Sequence, residues 1–331
     1  MRHHLFWPCT VLLLVLGMVL GGCAMQGRRP SEPFIVVLGV AQDAGYPQAA
    51  CRKACCAPAW RDASARRHVA CLGIVDPETG QRWLIDATPD VREQLRMLDA
   101  IAPVAADNVS QVGLAGILLT HAHIGHYLGL AQLGREVTGA RGVAVYAMPR
   151  MRAFLEGNGP WDQLVSLGNI ELRDLAAGVP VELAPGITVT AMVVPHRDEY
   201  AETVGFVIAG PGRRVLYVPD IDKWASWDRR IEDELARVDV AYLDGTFFAN
   251  GEIPGRDMRE IPHPFVEETM GRLGALPASE RAKVRFIHFN HTNPLCRGEG
   301  AAVRRVGAGG FGVAREGELM PLVRVPSGEV E

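Results

Sequence analysis

The sequence predicts a layered α+β fold, on two observations. Short apolar runs of strand length recur along the chain, bounded by turn-forming Gly, Pro, Asn and Asp. Helical stretches fall between them without the strict alternation that an α/β barrel needs. The composition, 48% hydrophobic and 22% charged over 331 residues, is that of a chain able to bury a core. A net charge of -4 gives no electrostatic reason to expect a nucleic-acid partner.

The N-terminal segment stands apart from the fold. Arg2 precedes an unbroken apolar run, Val11 to Leu20. That run falls short of the about 20 residues a spanning helix needs and suits the core of a signal peptide. Leu20-Gly21-Gly22-Cys23 follows. This tetrad resembles the lipobox of bacterial lipoproteins. The resemblance implies cleavage after residue 22, lipid on Cys23, a tether over residues 23–33 and a membrane partner reached through the lipid. One acyl chain binds a membrane only marginally, so more than one is implied. Ala24 follows where an Asp would resemble a retention signal for the inner membrane. The expected location is therefore the cell envelope, on the periplasmic face of the outer membrane.

The folded part is expected over residues 34–331. Phe34 to Val40 reads as a buried strand and ends in the turn-rich Gln42-Asp43-Ala44-Gly45-Tyr46-Pro47. Ala70 to Val75 and Arg82 to Ile85 are strands across a Pro-Glu-Thr-Gly turn. Thr88-Pro89-Asp90 opens a helix to about Leu98, with Pro89 suited to its first turn. Gly116 to Thr120 is a strand that runs straight into a histidine cluster, and a helix is expected from His126 to Val137. Val143 to Ala147 is a strand and Pro149 to Glu156 a helix. Further strands are expected at Ile187 to Val194, Gly205 to Ala209, Arg214 to Val218, Val238 to Leu243 and Val284 to Phe289. Pro264 to Leu273 reads as a helix, and the Gly-rich stretch from Gly309 to Met320 supplies an edge strand.

Thr120-His121-Ala122-His123-Ile124-Gly125-His126 carries the chemistry. Side chains two apart on an extended segment point the same way, so His121 and His123 can converge on one ion. His126 follows at a first helical turn, facing a neighbouring point. Neutral imidazole is a common ligand of zinc and iron. Three later runs repeat the arrangement: Pro195-His196, Pro219-Asp220 and Ile287-His288 each place a candidate ligand just past an apolar strand. Function is often mounted on loops at one end of a rigid sheet. Singly, His196 reads as a satisfied core histidine and Asp220 as a helix cap. Together they read as one metal site.

Seven cysteines remain to be placed. Cys9 lies in the signal segment and Cys23 takes the lipid, which leaves Cys51, Cys55, Cys56, Cys71 and Cys296. An oxidising periplasm favours disulfides, while Cys51-x3-Cys55-Cys56 also suits a structural zinc site. Both readings stay open.

The order of these motifs resembles the metallo-β-lactamase superfamily. His121, His123 and His126 match its His-x-His-x-Asp-His signature, and His196, Asp220 and His288 match its later ligands. Within it the chain is similar to the pyrroloquinoline quinone (PQQ) biosynthesis protein B family. The matching segments are Val37-Leu38-Gly39, Gly45-Tyr46-Pro47-Gln48, the cysteines at 51–56, Asp86-Ala87-Thr88-Pro89-Asp90-Val91-Arg92, His196-Arg197-Asp198-Glu199-Tyr200, Thr203-Val204-Gly205-Phe206 and Thr292-Asn293-Pro294. The resemblance implies an αββα sandwich with metal at the sheet edges. It implies a hydrolase that activates water on one or two zinc ions and acts on a small-molecule or peptide-derived substrate. His121, His123 and His196 would hold one ion, His126 and His288 a second, and Asp220 would bridge them or orient the nucleophile.

Gly125 departs from that pattern, standing where the superfamily has a ligand Asp. Either one metal or an asymmetric pair is expected, with Asp43 supplying the missing oxygen or only organising its own turn. His291 is a candidate general acid or a support for the ligands, and His263 a weaker candidate of the same kind. Asp86 either holds a ligand histidine by its second nitrogen or is structural. Trp161, Trp224, Trp227, Phe247 and Phe248 line the pocket or simply pack. The PQQ family generally lacks so full a histidine set and works inside the cell, so the likeness can report descent rather than a shared substrate. Two other readings stand beside hydrolysis: oxygen chemistry on non-haem iron in PQQ biosynthesis, and a metal-dependent binding lipoprotein without turnover. A serine hydrolase is disfavoured, because Gly-x-Ser-x-Gly does not occur.

Overall fold

The computed structural model describes residue 1, residues 30–104 and residues 112–324. The signal segment, Cys23 and most of the expected tether lie outside the described residues. Two seven-stranded sheets make the frame. The first has the order β14-β1-β2-β3-β4-β5-β6, built from β1 (Phe34–Gly39), β2 (Cys71–Asp76), β3 (Gln81–Ile85), β4 (Gly116–Leu118), β5 (Val143–Ala147), β6 (Ile170–Asp174) and β14 (Leu319–Pro321). The second has the order β13-β12-β11-β10-β9-β8-β7. Its strands are β7 (Pro180–Ala184), β8 (Ile187–Val193), β9 (Val204–Ala209), β10 (Arg214–Val218), β11 (Val240–Asp244), β12 (Val284–Ile287) and β13 (Gly312–Val313).

The two sheets are built alike. β1 to β3 pair antiparallel and β3 to β6 parallel. In the same way β7 to β10 pair antiparallel and β10 to β13 parallel. β4 and β10 to β12 thus belong to the parallel halves, whose C-terminal ends carry the loops that follow.

Side chains alternate across each strand and sort into layers. From the first sheet Ile35, Val37, Leu72, Ile74, Trp83 and Ile85 face inward, in one core with Phe206, Ile208, Tyr217 and Tyr242 of the second. Phe34, Val36, Leu38 and Leu84 point outward, packing under α2 (Val91–Ile101), α4 (Pro149–Gly157) and α5 (Trp161–Ser166) through Leu98, Met151, Leu155 and Leu164. The second sheet is covered by α6 (Ile231–Leu235), α7 (Val266–Leu273) and α9 (Ala301–Ala308). The architecture is therefore an αββα sandwich.

Several boundaries differ from the sequence reading. The helix expected from His126 to Val137 is α3 (Ile124–Tyr127), continued by a 3-10 turn at Leu128–Leu133. The single edge strand expected near the C-terminus is two short ones, β13 and β14, on different sheets. Trp224 and Trp227 are buried: their indole N–H groups donate to Thr269 Oγ1 and the Val193 carbonyl. Phe248 lies in the main core, Phe247 in a small cluster with Met258, Ile261 and Phe265, and Trp161 against Tyr127 and Phe154.

Past the strand ends the two sheets are tied together. After β1 the chain runs beside the end of β12: Phe289 N–H donates to the Val40 carbonyl at 2.7 Å and Gln42 N–H to the Phe289 carbonyl at 2.8 Å. Gly39 lets the chain pass close against the residue 69 backbone, because a Cβ on it would meet the Val69 carbonyl oxygen at 2.0 Å. On the other side Val204 N–H donates to the Thr120 carbonyl at 3.0 Å.

Candidate metal centre

Each ligand candidate sits just past the C-terminal end of a strand: Asp43 after β1, His121, His123 and His126 after β4, His196 after β8, Asp220 after β10 and His288 after β12. The fold draws them into two adjoining groups. His121, His123, His196 and Asp220 form the first, and Asp43, His126 and His288 the second, with donor atoms inside each group within 4.8 Å of one another. His121 Nε2 lies 2.9 Å from His123 Nδ1 and 3.4 Å from Asp220 Oδ2, and His196 Nε2 lies 3.2 Å from Asp220 Oδ1. Asp220 Oδ2 is also 4.0 Å from both His126 Nε2 and His288 Nε2. One carboxylate therefore touches both groups.

The outer ring nitrogens are held as well. His126 Nδ1 is 2.7 Å from Asp86 Oδ2, and His121 Nδ1 is 3.0 Å from Thr120 Oγ1, which itself donates to Asp86. His196 Nδ1 meets Asp222 Oδ1 at 3.0 Å and His288 Nδ1 meets Thr246 Oγ1 at 3.0 Å. This is the arrangement that fixes tautomer and ring orientation in metal-ligating histidines. Asp86 (φ 72°) and His288 (φ 67°) both occupy the left-handed region that non-glycine residues seldom adopt, which fits strain concentrated at a functional site.

Charge in the centre is strongly perturbed. Burial pushes the Asp220 carboxyl up, but His196, His263 and His288 outweigh it and hold it well below the usual range. Burial would lower His126, yet Asp86 and Asp43 raise it to about 10. Burial holds His121 down, with His126 adding to the effect, and burial also lowers His288. These carboxylates thus favour positive charge at their centre.

The donor set fits a cation. His126 Nε2, His196 Nε2, His288 Nε2, Asp43 Oδ1 and Asp220 Oδ1 are buried without an aligned hydrogen-bond partner. Donors about 2.1 Å from a tetrahedral zinc stand about 3.4 Å apart. The first group's 3.2 and 3.4 Å spacings fit that edge. Solvent reaches the centre past His123 and Asp43, whose side chains are 14% and 22% exposed.

His263 is drawn to the same place. Its Nδ1 lies 3.1 Å from Asp220 Oδ1 and 2.9 Å from Asp244 Oδ2. The sequence reading missed Asp222, Thr246 and Asp244. Asp244 carried a usable signal, since it ends an apolar strand just as the ligands follow theirs.

His291 requires a correction. Expected beside the histidine cluster, it sits instead among cysteines, its Nδ1 3.3 Å from Cys56 Sγ and 3.6 Å from Cys55 Sγ. The reason is local: the chain turns after His288, with Asn290 N–H bonded to the Thr246 carbonyl and Asn293 N–H to the Asn290 carbonyl. Cys51, Cys55, Cys56 and His291 offer donors within 4.8 Å of one another, and Cys51 Sγ lies 3.7 Å from Cys55 Sγ. Cys71 also departs from expectation. It is buried apart from that group, its thiol facing the carbonyls of Leu72 and Asp86, and all five described cysteines are free.

Residues 81–289 match the model of the beta-lactamase superfamily domain. Coenzyme PQQ synthesis protein B of Methylobacterium sp. (strain 4-46) is 29% identical over 314 residues, spanning 87% of this chain and 99% of that protein. The same protein of Xanthomonas campestris pv. campestris (strain B100) is 26% identical over 303 residues, spanning 86% and 98%. Among solved structures, Zn(2+)-bound PqqB from Methylobacterium extorquens superposes with a TM-score of 0.72 at 24% identity, over 87% of this chain and 99% of that one. A diphosphatase of the PhnP family superposes with a TM-score of 0.59 at 21% identity, over 87% and 96%. With the family model spanning most of the chain and the sandwich carrying its ligands at the strand ends, this protein belongs to the beta-lactamase superfamily, with PQQ synthesis protein B among its relatives.

Proposed function

We propose that the protein is a zinc-dependent hydrolase acting on a small-molecule or peptide-derived substrate. The observation that carries the reading is the position of Asp220, whose two oxygens face His196 on one side and His121, His126 and His288 on the other. When bound, zinc lowers the pKa of a coordinated water to about 7 and polarises a substrate carbonyl or phosphoryl oxygen.

The chain's own residues divide the remaining work. His121 Nε2, His123 Nδ1 and His196 Nε2 would hold one ion, and His126 and His288 would face a second. Asp86, Thr120, Asp222 and Thr246 keep the imidazoles in the tautomer that presents a lone pair inward. His263 keeps a proton on Nδ1 between Asp220 and Asp244, so its other nitrogen can release a proton to a leaving group. The named relatives include a diphosphatase of this fold, which supports hydrolysis as the reaction class.

A second reading, oxygen chemistry on iron, rests on the donor set, since histidines with a carboxylate also suit Fe(II). Metal analysis after anaerobic and aerobic purification separates the two. Zinc in both preparations, with turnover of ester, lactam or phosphodiester probes, supports hydrolysis. Iron only in the anaerobic one, with no hydrolysis, overturns it.

Cys51, Cys55, Cys56 and His291 form a second, structural zinc site in this proposal. Sulfurs on a tetrahedral zinc stand about 3.8 Å apart, close to the 3.7 Å between Cys51 and Cys55. A histidine among the thiols favours metal over a disulfide. The signal-like N-terminus supports a lipid on Cys23 and an outer-membrane location. A Cys23→Ala chain that still fractionates with membranes and still incorporates labelled fatty acid would refute the anchor.

A further inference from the structure

We infer that Asp43 supplies the carboxylate of the second ion position, and that residue 125 is glycine because Asp43 fills the space beside it. The inference rests on the metal-dependent reading above and adds to it where the second group's oxygen comes from.

Three observations carry it. A Cβ built on Gly125 would lie 2.1 Å from Asp43 Oδ1, 2.5 Å from its Cα and 2.9 Å from its Cβ. Real contacts of a methyl group are about 3.5 Å or more. No side chain fits at 125 while Asp43 stays in place. Second, Asp43 Oδ1 is buried without an aligned hydrogen bond and stands 3.3 Å from His126 Nε2. Among the described residues, that oxygen is not spent on its own turn. Third, the loop is anchored on its donor side. Gln42 N–H bonds the Phe289 carbonyl, and Asn290 Nδ2–H donates to Gln42 Oε1 at 2.6 Å. Phe289 directly follows His288, so Asp43 and His288 ride on two segments bonded side by side.

A carboxylate at 125 would come from the histidine segment itself. Here it comes from the loop after β1, which joins the two sheets at this edge. The two sources exclude each other, because the obstruction at 125 includes the Asp43 backbone. A Gly125→Ala change therefore removes no donor atom, yet it must push Asp43 away from His126.

Zinc content by mass spectrometry after dialysis, together with cobalt absorption spectra, tests this on the full chain. Wild type, Asp43→Asn, Asp43→Ala, Gly125→Ala and His196→Ala are compared, and each is read as a difference from wild type. Expected is a loss of about one equivalent in the two Asp43 variants and in Gly125→Ala, or an affinity at that position at least about ten-fold weaker. Asp43→Asn keeps the side chain's size and guards against misfolding. Unchanged metal in both Asp43 variants overturns the inference. Unchanged metal in Gly125→Ala overturns its steric half. If His196→Ala also leaves the metal unchanged, the functional reading fails, and the two failures are thereby told apart.

Discussion

Asp86 Oδ2 lies 2.7 Å from Nδ1 of His126, and both side chains are wholly buried. The same carboxylate receives hydrogen bonds from Thr120 N–H and its hydroxyl at 2.8 and 2.9 Å. One residue past the end of β3 therefore sets the ring that faces Asp43 and the strand end that carries His121. Asp86→Asn is the informative change, because Asn tolerates the left-handed backbone. It should weaken metal at the second group about 10- to 100-fold and at the first group less, through Thr120 and His121. Equal weakening at both, measured by competition with a chelator, would show that Asp86 acts on the fold at large.

Asp220 belongs to the first group and stands 4.0 Å from both His126 and His288 of the second. Asp220→Asn keeps its shape and removes its charge. The change should cut kcat/KM by about 100-fold or more, with metal affinity falling at both groups. His263→Asn is the contrasting variant. It should lower kcat about 100-fold while metal content holds, as expected of a proton donor rather than a ligand. If His263→Asn lost metal as Asp220→Asn does, His263 would be a positioning residue for Asp220 only.

Much of this centre was legible in the sequence because ligands followed apolar strands. The spacing of His121 and His123 on an extended segment was enough to put them on one ion. The reading of His291 failed for a related reason. Its closeness to His288 in sequence says nothing once the chain takes a left-handed step at His288 and turns through Asn290. β6 and β7 were missed because they lie at the sheet edges, where alternate side chains are exposed and no apolar run forms. The exchange between Asp43 and Gly125 could be suspected from a missing carboxylate, but only the measured approach of the two backbones gives it a cause.

The cysteine group should behave as a structural site. His291→Ala and Cys56→Ser each remove one of four donors, and metal binding in such sites is folding free energy. Loss of about 2 kcal/mol would lower Tm by about 3 °C in a chain of this size. Activity per folded molecule should hold, because none of these donors belongs to the histidine groups. Melting curves with and without chelator check it. A Tm that chelator lowers equally in wild type and in both variants would place the stabilising metal elsewhere.

A pH effect should arise at His68, far from the metal ligands in sequence. Its Nδ1 lies 3.3 Å from Glu316 Oε1, and its backbone N–H donates to the same oxygen at 2.6 Å. The bond from Glu316 raises the His68 pKa above its ordinary value, and burial only partly opposes it. A histidine whose folded pKa is raised binds its proton more tightly in the native state. Its contribution to stability is therefore fully present below about pH 6.5, the unfolded value, and disappears as pH climbs through the raised folded value. The pair is partly exposed, so the contribution should be modest, about 0.5–1 kcal/mol. His68→Gln keeps a polar side chain but cannot titrate. The stability gap between wild type and His68→Gln, read from denaturant unfolding, should shrink as pH rises above about 6.5. A gap that stays constant across that range would mean that His68 stabilises the β2 approach through packing and its backbone bond alone, with no part played by its charge.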